Sequence, residues 1–339
     1  IEMKNVCDIA IDNALFMESY DGVYADPSNS TPIVYTIENS SFKNNRRCLT
    51  GIDIDGTLTN KNYLIENIFE SEFNEFLEPF AKTAHNSGEE FRMEYAVRLI
   101  GDTKMDGDHM SSNTFRNALV GVEYRNELDI FFPILYMESN EFENIQFVGV
   151  YAENRQGIIL DEGNSFSIPI SPNISTIQYS DYVYTEYAHV PDGVYGLIGW
   201  NTLDVGSYFS FFFADNEDDL EFTNIRRVGI LAHIEKFFNP ASGLYLLPHL
   251  YLFNSEFEKL HIGVDITNDA DFARIAENIF TDNEIALNYN SDPIGTAEFV
   301  HPEFSCNRFE LVDADEATIH YGMYIREDCD LHDMDISGT

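Results

Sequence analysis

Short runs of Val, Ile, Tyr and Phe, alternating in places with polar residues and broken every 8 to 15 residues by Asn, Asp, Gly, Ser or Pro, make up most of the chain. Alternation with period two sends successive side chains to opposite faces of a strand, and turn residues at this spacing suit a sandwich or barrel better than βαβ units. The pattern predicts an all-β protein. Two segments read differently. NYLIENIFESEFNEFLEPF from Asn62 and DADFARIAENIF from Asp269 have helical periodicity and predict a short helix each, with Asp269 or Asp271 as a cap.

Three landmarks recur along the chain. YAVRLIGD from Tyr95, YFSFFFAD from Tyr208 and YGMYIRED from Tyr321 begin 113 residues apart. Segments starting at Pro32, Pro133 and Pro248 each place Tyr three residues after Pro, then a polar turn (NSSF, SNEF, NSEF), then Phe42, Phe142 or Phe257. KNVCDIAI, RNALVGVE and TNIRRVGI form the third set, and ENIF occurs at Glu66 to Phe69 and at Glu277 to Phe280. Recurrence in fixed order predicts three tandem β-sandwich or barrel-like domains, over residues 1–108, 109–220 and 221–339. The polar turns read as hairpins joining the Pro strand to the Phe strand.

Charge narrows the functions open to such a chain. With 59 acidic and 19 basic residues, the formal net charge is −40. Nucleic acids and anionic membranes would be repelled, and no apolar run approaches the roughly 20 residues of a membrane span. The acids crowd where the expected domains end, at Asp102, Asp106 and Asp108, at Asp215, Glu217, Asp218 and Asp219, and at Asp328 and Asp330. Carboxylates this close are either solvated or bridged by a hard cation, so calcium at the junctions is one expectation.

Cys7 and Cys48 lie near one end and Cys306 and Cys329 near the other, without a CxxC pair. Their grouping favours Cys7–Cys48 and Cys306–Cys329 disulfides, and with sequons at Asn29, Asn39 and Asn173 it suggests an extracellular location.

DIDGTLTN, Asp53 to Asn60, resembles the nucleophile motif of the haloacid-dehalogenase-like phosphatases. That resemblance would make Asp53 the nucleophile and Asp55 the acid-base, with magnesium between them. The family sets the motif after a buried parallel strand, whereas NRRCLTG is polar, and Asp55-Gly56 is equally a hairpin turn. GxSxG, HExxH and P-loop patterns do not occur in the sequence, and His233, His249 and His261 read as parts of strand surfaces rather than a metal triad.

The expected function is non-enzymatic: a secreted or surface-exposed structural or adhesive protein, binding itself as a polymer or filament subunit or binding other matrix and surface components. The alternative is a lectin-like carbohydrate-binding module that uses the aromatic stretch Tyr179 to Tyr187 and Trp200.

Overall fold

The structure is a computed structural model that describes residues 2–4, 8–26, 34–52, 62–71, 93–100, 108–125, 134–153, 157–160, 163–168, 187, 189–191, 193–200, 209–213, 226–234, 237–239, 244–246, 250–268, 273–291, 303–312, 320–325 and 335–337. These residues are all-β, with no helix among them.

The strands wind as a solenoid. A long sheet of eleven strands begins with Glu2–Lys4 and Asp21–Asp26 and ends with Ile285–Ser291 and Tyr321–Ile325. A second face carries ten short strands, from Leu15–Met17 to Arg308–Glu310. The third consists of a six-stranded sheet that runs to Gly157–Leu160 and a four-stranded sheet that starts at Leu250–Phe253. Neighbours in all four sheets are parallel, and between neighbours the chain visits the other faces. The antiparallel pair Phe237–Asn239 with Leu244–Leu246 stands apart. This is the connectivity of a parallel β-helix, in which each coil can bury its inner side only against the next.

A two-residue corner sets the register of each coil. Asn13, Asn39, Glu66, Ser112, Ser139, Asn254, Glu277 and Cys306 all adopt positive φ between the third face and the short sheet. The residue that follows is small or an amide, and at Ser40, Asn67, Asn113, Asn140, Asn278 and Asn307 its side chain ties coil to coil. The Asn67 Oδ1 accepts from the Ser40 amide at 3.0 Å, Asn113 Oδ1 from the Asn67 amide at 3.0 Å, and Asn140 Oδ1 from the Asn113 amide at 3.1 Å. Each of these amide groups also donates back to the preceding coil, as Asn140 Nδ2 does to the Met110 carbonyl at 2.9 Å. Ser255, Asn278 and Asn307 repeat the ladder further along. Buried amides satisfied in this way rigidify a core that would otherwise suffer from them.

Two residues after each ladder position, a Phe turns inward. The rings of Phe16, Phe42, Phe69, Phe115, Phe142 and Phe166 stack at centroid distances of 4.5 to 5.1 Å, and Phe257, Phe280 and Phe309 continue at 4.8 and 5.4 Å. Opposite the rings, the long sheet needs its smallest residues. A Cβ on Gly121 would lie 2.5 Å from the Gly149 carbonyl oxygen and 2.8 Å from the Phe142 ring.

Four expectations change. The three sandwiches are not confirmed: the strand Met93–Ile100 pairs in parallel with Ala118–Arg125, and Gly193–Trp200 with Arg226–Ile234, so ladders run across both expected boundaries. The 113-residue landmark joins unlike places, because Tyr95 and Tyr321 share one row of the long sheet while Phe209–Phe213, after Tyr208, belongs to the short one. NSSF, SNEF and NSEF are corners, not hairpins, since the strands they join lie in different sheets. The two helical segments contain the strands Asn62–Ile65, Ile68–Glu70, Ala273–Ala276 and Ile279–Thr281 instead, and Asp269 and Asp271 lie outside the described residues.

Candidate functional site on the outer face of the long sheet

Alternation along the long sheet sends Val97, Val122, Val150, Leu197 and Ile230 into the coil and their neighbours outward. Two adjacent outward rows cross the strands. One contains Arg98, Glu123, Tyr151, Ile198, Leu231, Asp265, Asn288 and Tyr324, and the other contains Ile100, Arg125, Glu153, Trp200, His233, Thr267 and Asn290. A second apolar cluster, including Leu119, Phe147, Val148, Tyr195, Ile198 and Leu231, forms on this same face, outside the coil.

Tyr187 and residues 189–191 close over part of it. Tyr187 is buried against Phe147 and Tyr151, and its hydroxyl donates to Glu123 Oε1 at 2.7 Å. The Val190 amide donates to the Tyr187 carbonyl at 3.0 Å, and the Tyr195 hydroxyl donates to the Pro191 carbonyl at 2.6 Å.

Beneath this turn the charges balance. Glu123, wholly buried, pairs with Arg98 Nε at 2.5 Å and Arg125 Nε at 2.8 Å, and Arg125 Nε also lies 3.0 Å from Glu153 Oε2. Burial disfavours the Arg125 charge, but Glu123 and Glu153 outweigh it and raise its pKa. Its guanidinium lies over the Tyr151 and Tyr187 rings at 5.1 and 4.9 Å, close enough for cation–π attraction. Burial, reinforced by the nearby glutamates, pushes both phenols up, so Tyr151 and Tyr187 remain donors. Both carboxylates are engaged as counter-ions.

Next along the face is an aromatic group. The Tyr151 hydroxyl donates to Glu153 Oε2 at 3.1 Å and lies 3.0 Å from His189 Nε2, which fits a ring protonated on that nitrogen. The His189 and Trp200 rings meet in a T shape at 4.6 Å, and Trp200 stacks on His233 at 3.8 Å with 19° between planes. His233 Nδ1 is 2.9 Å from Thr267 Oγ1, and Asn288 Nδ2 donates to Asp265 Oδ1 at 2.8 Å. Rings and hydrogen-bonding groups are thus fixed in place along one face of the sheet.

No family model, curated protein or solved structure matches the chain.

Of the residues singled out in the sequence, Trp200, Tyr187 and His233 come together here. Tyr179, His249, Asp53 and Asp55 lie outside the described residues, as do Asp102, Asp106, Asp215, Glu217, Asp218, Asp219, Asp328 and Asp330. Asp108 opens the strand Asp108–Ser111. Among the described residues no group of three potential metal ligands occurs. His261 Nδ1 accepts from the Arg227 amide at 3.2 Å. Asn39 is exposed at a corner, with Asn29 and Asn173 outside the described residues.

Among the described residues Cys48 and Cys306 are free thiols, while Cys7 and Cys329, the partners expected for them, lie outside the described residues. Cys48 points into the core, 3.7 Å from the Met93 sulfur, and burial pushes its thiol pKa up. NRRCLTG, expected to make a poor interior strand, is one: Arg47–Ile52 pairs on both sides, with Cys48 and Leu49 buried.

Arg98, Glu123, Arg125, Glu153 and His189 escaped the sequence reading. Their signal was present as charges embedded in apolar strands such as ALVGVEYR, a pattern that buried, paired charges produce.

Proposed function

We propose that the protein is a surface-exposed structural or adhesive scaffold, a rod of stacked coils able to act outside the cell as a polymer subunit or to hold other surface components. The observation that carries this reading is the continuity of the Phe column and the Asn ladder through successive coils. Each coil is braced by its neighbours, which favours an extended, stiff body with a long lateral surface. A net charge of −40 keeps such a body soluble in salt-rich surroundings. Small-angle scattering and electron microscopy of the purified chain test the shape, and adhesion of cells or matrix to coated beads tests the role. A compact globule, or beads no stickier than those coated with an equally acidic control protein, would overturn it.

A further inference from the structure

We propose that Asp21, Arg47 and Glu94 hold one buried water molecule, which staples three consecutive strands of the long sheet. The site uses none of the groups beneath Tyr187 and does not depend on the scaffold reading.

The strands Asp21–Asp26, Arg47–Ile52 and Met93–Ile100 supply one group each. Asp21 stands opposite Arg47 in the parallel pair, and Arg47 stands opposite Tyr95, the neighbour of Glu94. Glu94 is only 4 % exposed, and its Oε1 accepts from Arg46 Nη2 at 2.5 Å. Its Oε2 lies 4.0 Å from Arg47 Nε, too far for a direct hydrogen bond and the spacing expected across a bridging water. The Tyr20 ring holds both guanidiniums in place, each 5.0 Å from its centroid. Burial pushes the Asp21 carboxyl up from its ordinary range, while Arg47 and Arg46 pull against this and Glu94 adds to it, so all of them act on Asp21 at short range. Asp21 Oδ1, Arg47 Nε and Glu94 Oε2 are each sealed from solvent, and none has a hydrogen-bond partner among the described residues. Three such atoms so close together are the signature of a water that completes their bonding.

The balance of donors and acceptors selects the ligand. One N–H has to be accepted and two carboxylate oxygens have to receive a hydrogen, which a single water does with one lone pair and both of its protons. A metal cation would meet the Arg47 N–H and the Arg46 charge, and an anion would meet two carboxylates. Size points the same way. A water at roughly 2.8 Å from each atom bridges the 4.0 Å gap, whereas a larger solute would force the strands apart.

The test is water-to-protein magnetic cross-relaxation on the full chain labelled with nitrogen-15, read at the arginine Hε signals, together with a high-resolution crystal structure. Arg47 Hε should show contact with a water that stays bound for longer than the molecule takes to tumble. Arg308 Hε, on a side chain 61 % exposed, should show exchange with bulk water only and serves as the control in the same spectrum. Asp21→Ala, which opens the site from its half-buried side, should abolish the Arg47 contact. The crystal structure should place one water within hydrogen-bond distance of Asp21, Arg47 and Glu94. The proposal is overturned if Arg47 Hε behaves like Arg308 Hε, if the crystal structure shows Arg47 Nε bonded directly to either carboxylate, or if Asp21→Ala keeps the bound-water contact. Should that variant not fold, the parent spectrum and crystal structure decide the matter alone.

Discussion

Asn140 is fully buried between two other asparagines, accepting from the Asn113 backbone and side chain and donating to the Met110 carbonyl and to Asn164 Oδ1. Removing it strands the Asn113 amide and the Met110 carbonyl on the preceding coil, at about 1–3 kcal/mol for each one left unpaired. Asn140→Ala should therefore cost about 3 kcal/mol or more in denaturant melts, whereas Leu15→Ala, at a side chain 60 % exposed, should stay within about 0.5 kcal/mol. His189 supplies a pH effect of definite sign. It keeps an exposed surface, yet desolvation of its packed part holds it below the ordinary 6.5. The unfolded chain then binds more protons between that lowered value and 6.5, so the contribution is intact above 6.5 and is lost as pH falls through this window. Imidazole NMR signals should show His189 titrating below 6.5, and His189→Gln should lose less stability than the parent between pH 7 and pH 5.

At the scale of elements, the short strands are little more than holders for one inward ring each. Phe142 is 1 % exposed and stacks on Phe115 at 4.6 Å and on Phe166 at 4.5 Å. Phe142→Ala should cost about 3–5 kcal/mol, read as a shift of the denaturation midpoint. The strands themselves were legible in the sequence, because alternation and β-branched content are local properties. Their partners were not. The corner-and-Phe unit was seen at Phe42, Phe142 and Phe257, but ENIF, SNTF and CNRF are the same unit, and they went unjoined because the connections between coils differ in length. Phe69 and Phe115 are 46 residues apart, whereas Phe142 and Phe166 are 24 apart. DADFARIAENIF imitated a helix because the Glu277–Asn278 corner resets the alternation, leaving apolar residues three and four apart. The Trp200 end of the candidate site stood out as the single tryptophan. Its ion pairs did not, since Arg98 and Glu123 meet only through the pairing of separate strands.

Across the whole molecule, the surplus of acid acts as self-repulsion that salt screens over about 10 Å at 0.1 M. Raising sodium chloride from low to physiological concentration should raise the melting temperature. Calcium at matched ionic strength tests whether the acids from Asp102 to Asp108 and from Asp215 to Asp219 add specific ligation: a further shift, abolished by EDTA and by Asp215→Asn with Asp218→Asn, is the outcome expected if they do. The stacking of coils also has a mechanical meaning. Tyr95 faces Val120, one coil later and 25 residues along the chain, while the coils themselves are only about 4.8 Å apart. Tension applied to the two ends of the chain would peel coils away in turn, a coil of this length releasing roughly 80 Å of slack at about 3.4 Å per residue and longer ones more. A tether built this way gives under load by stepwise unspooling, absorbing work coil by coil while the coils not yet reached keep their shape and their lateral surface.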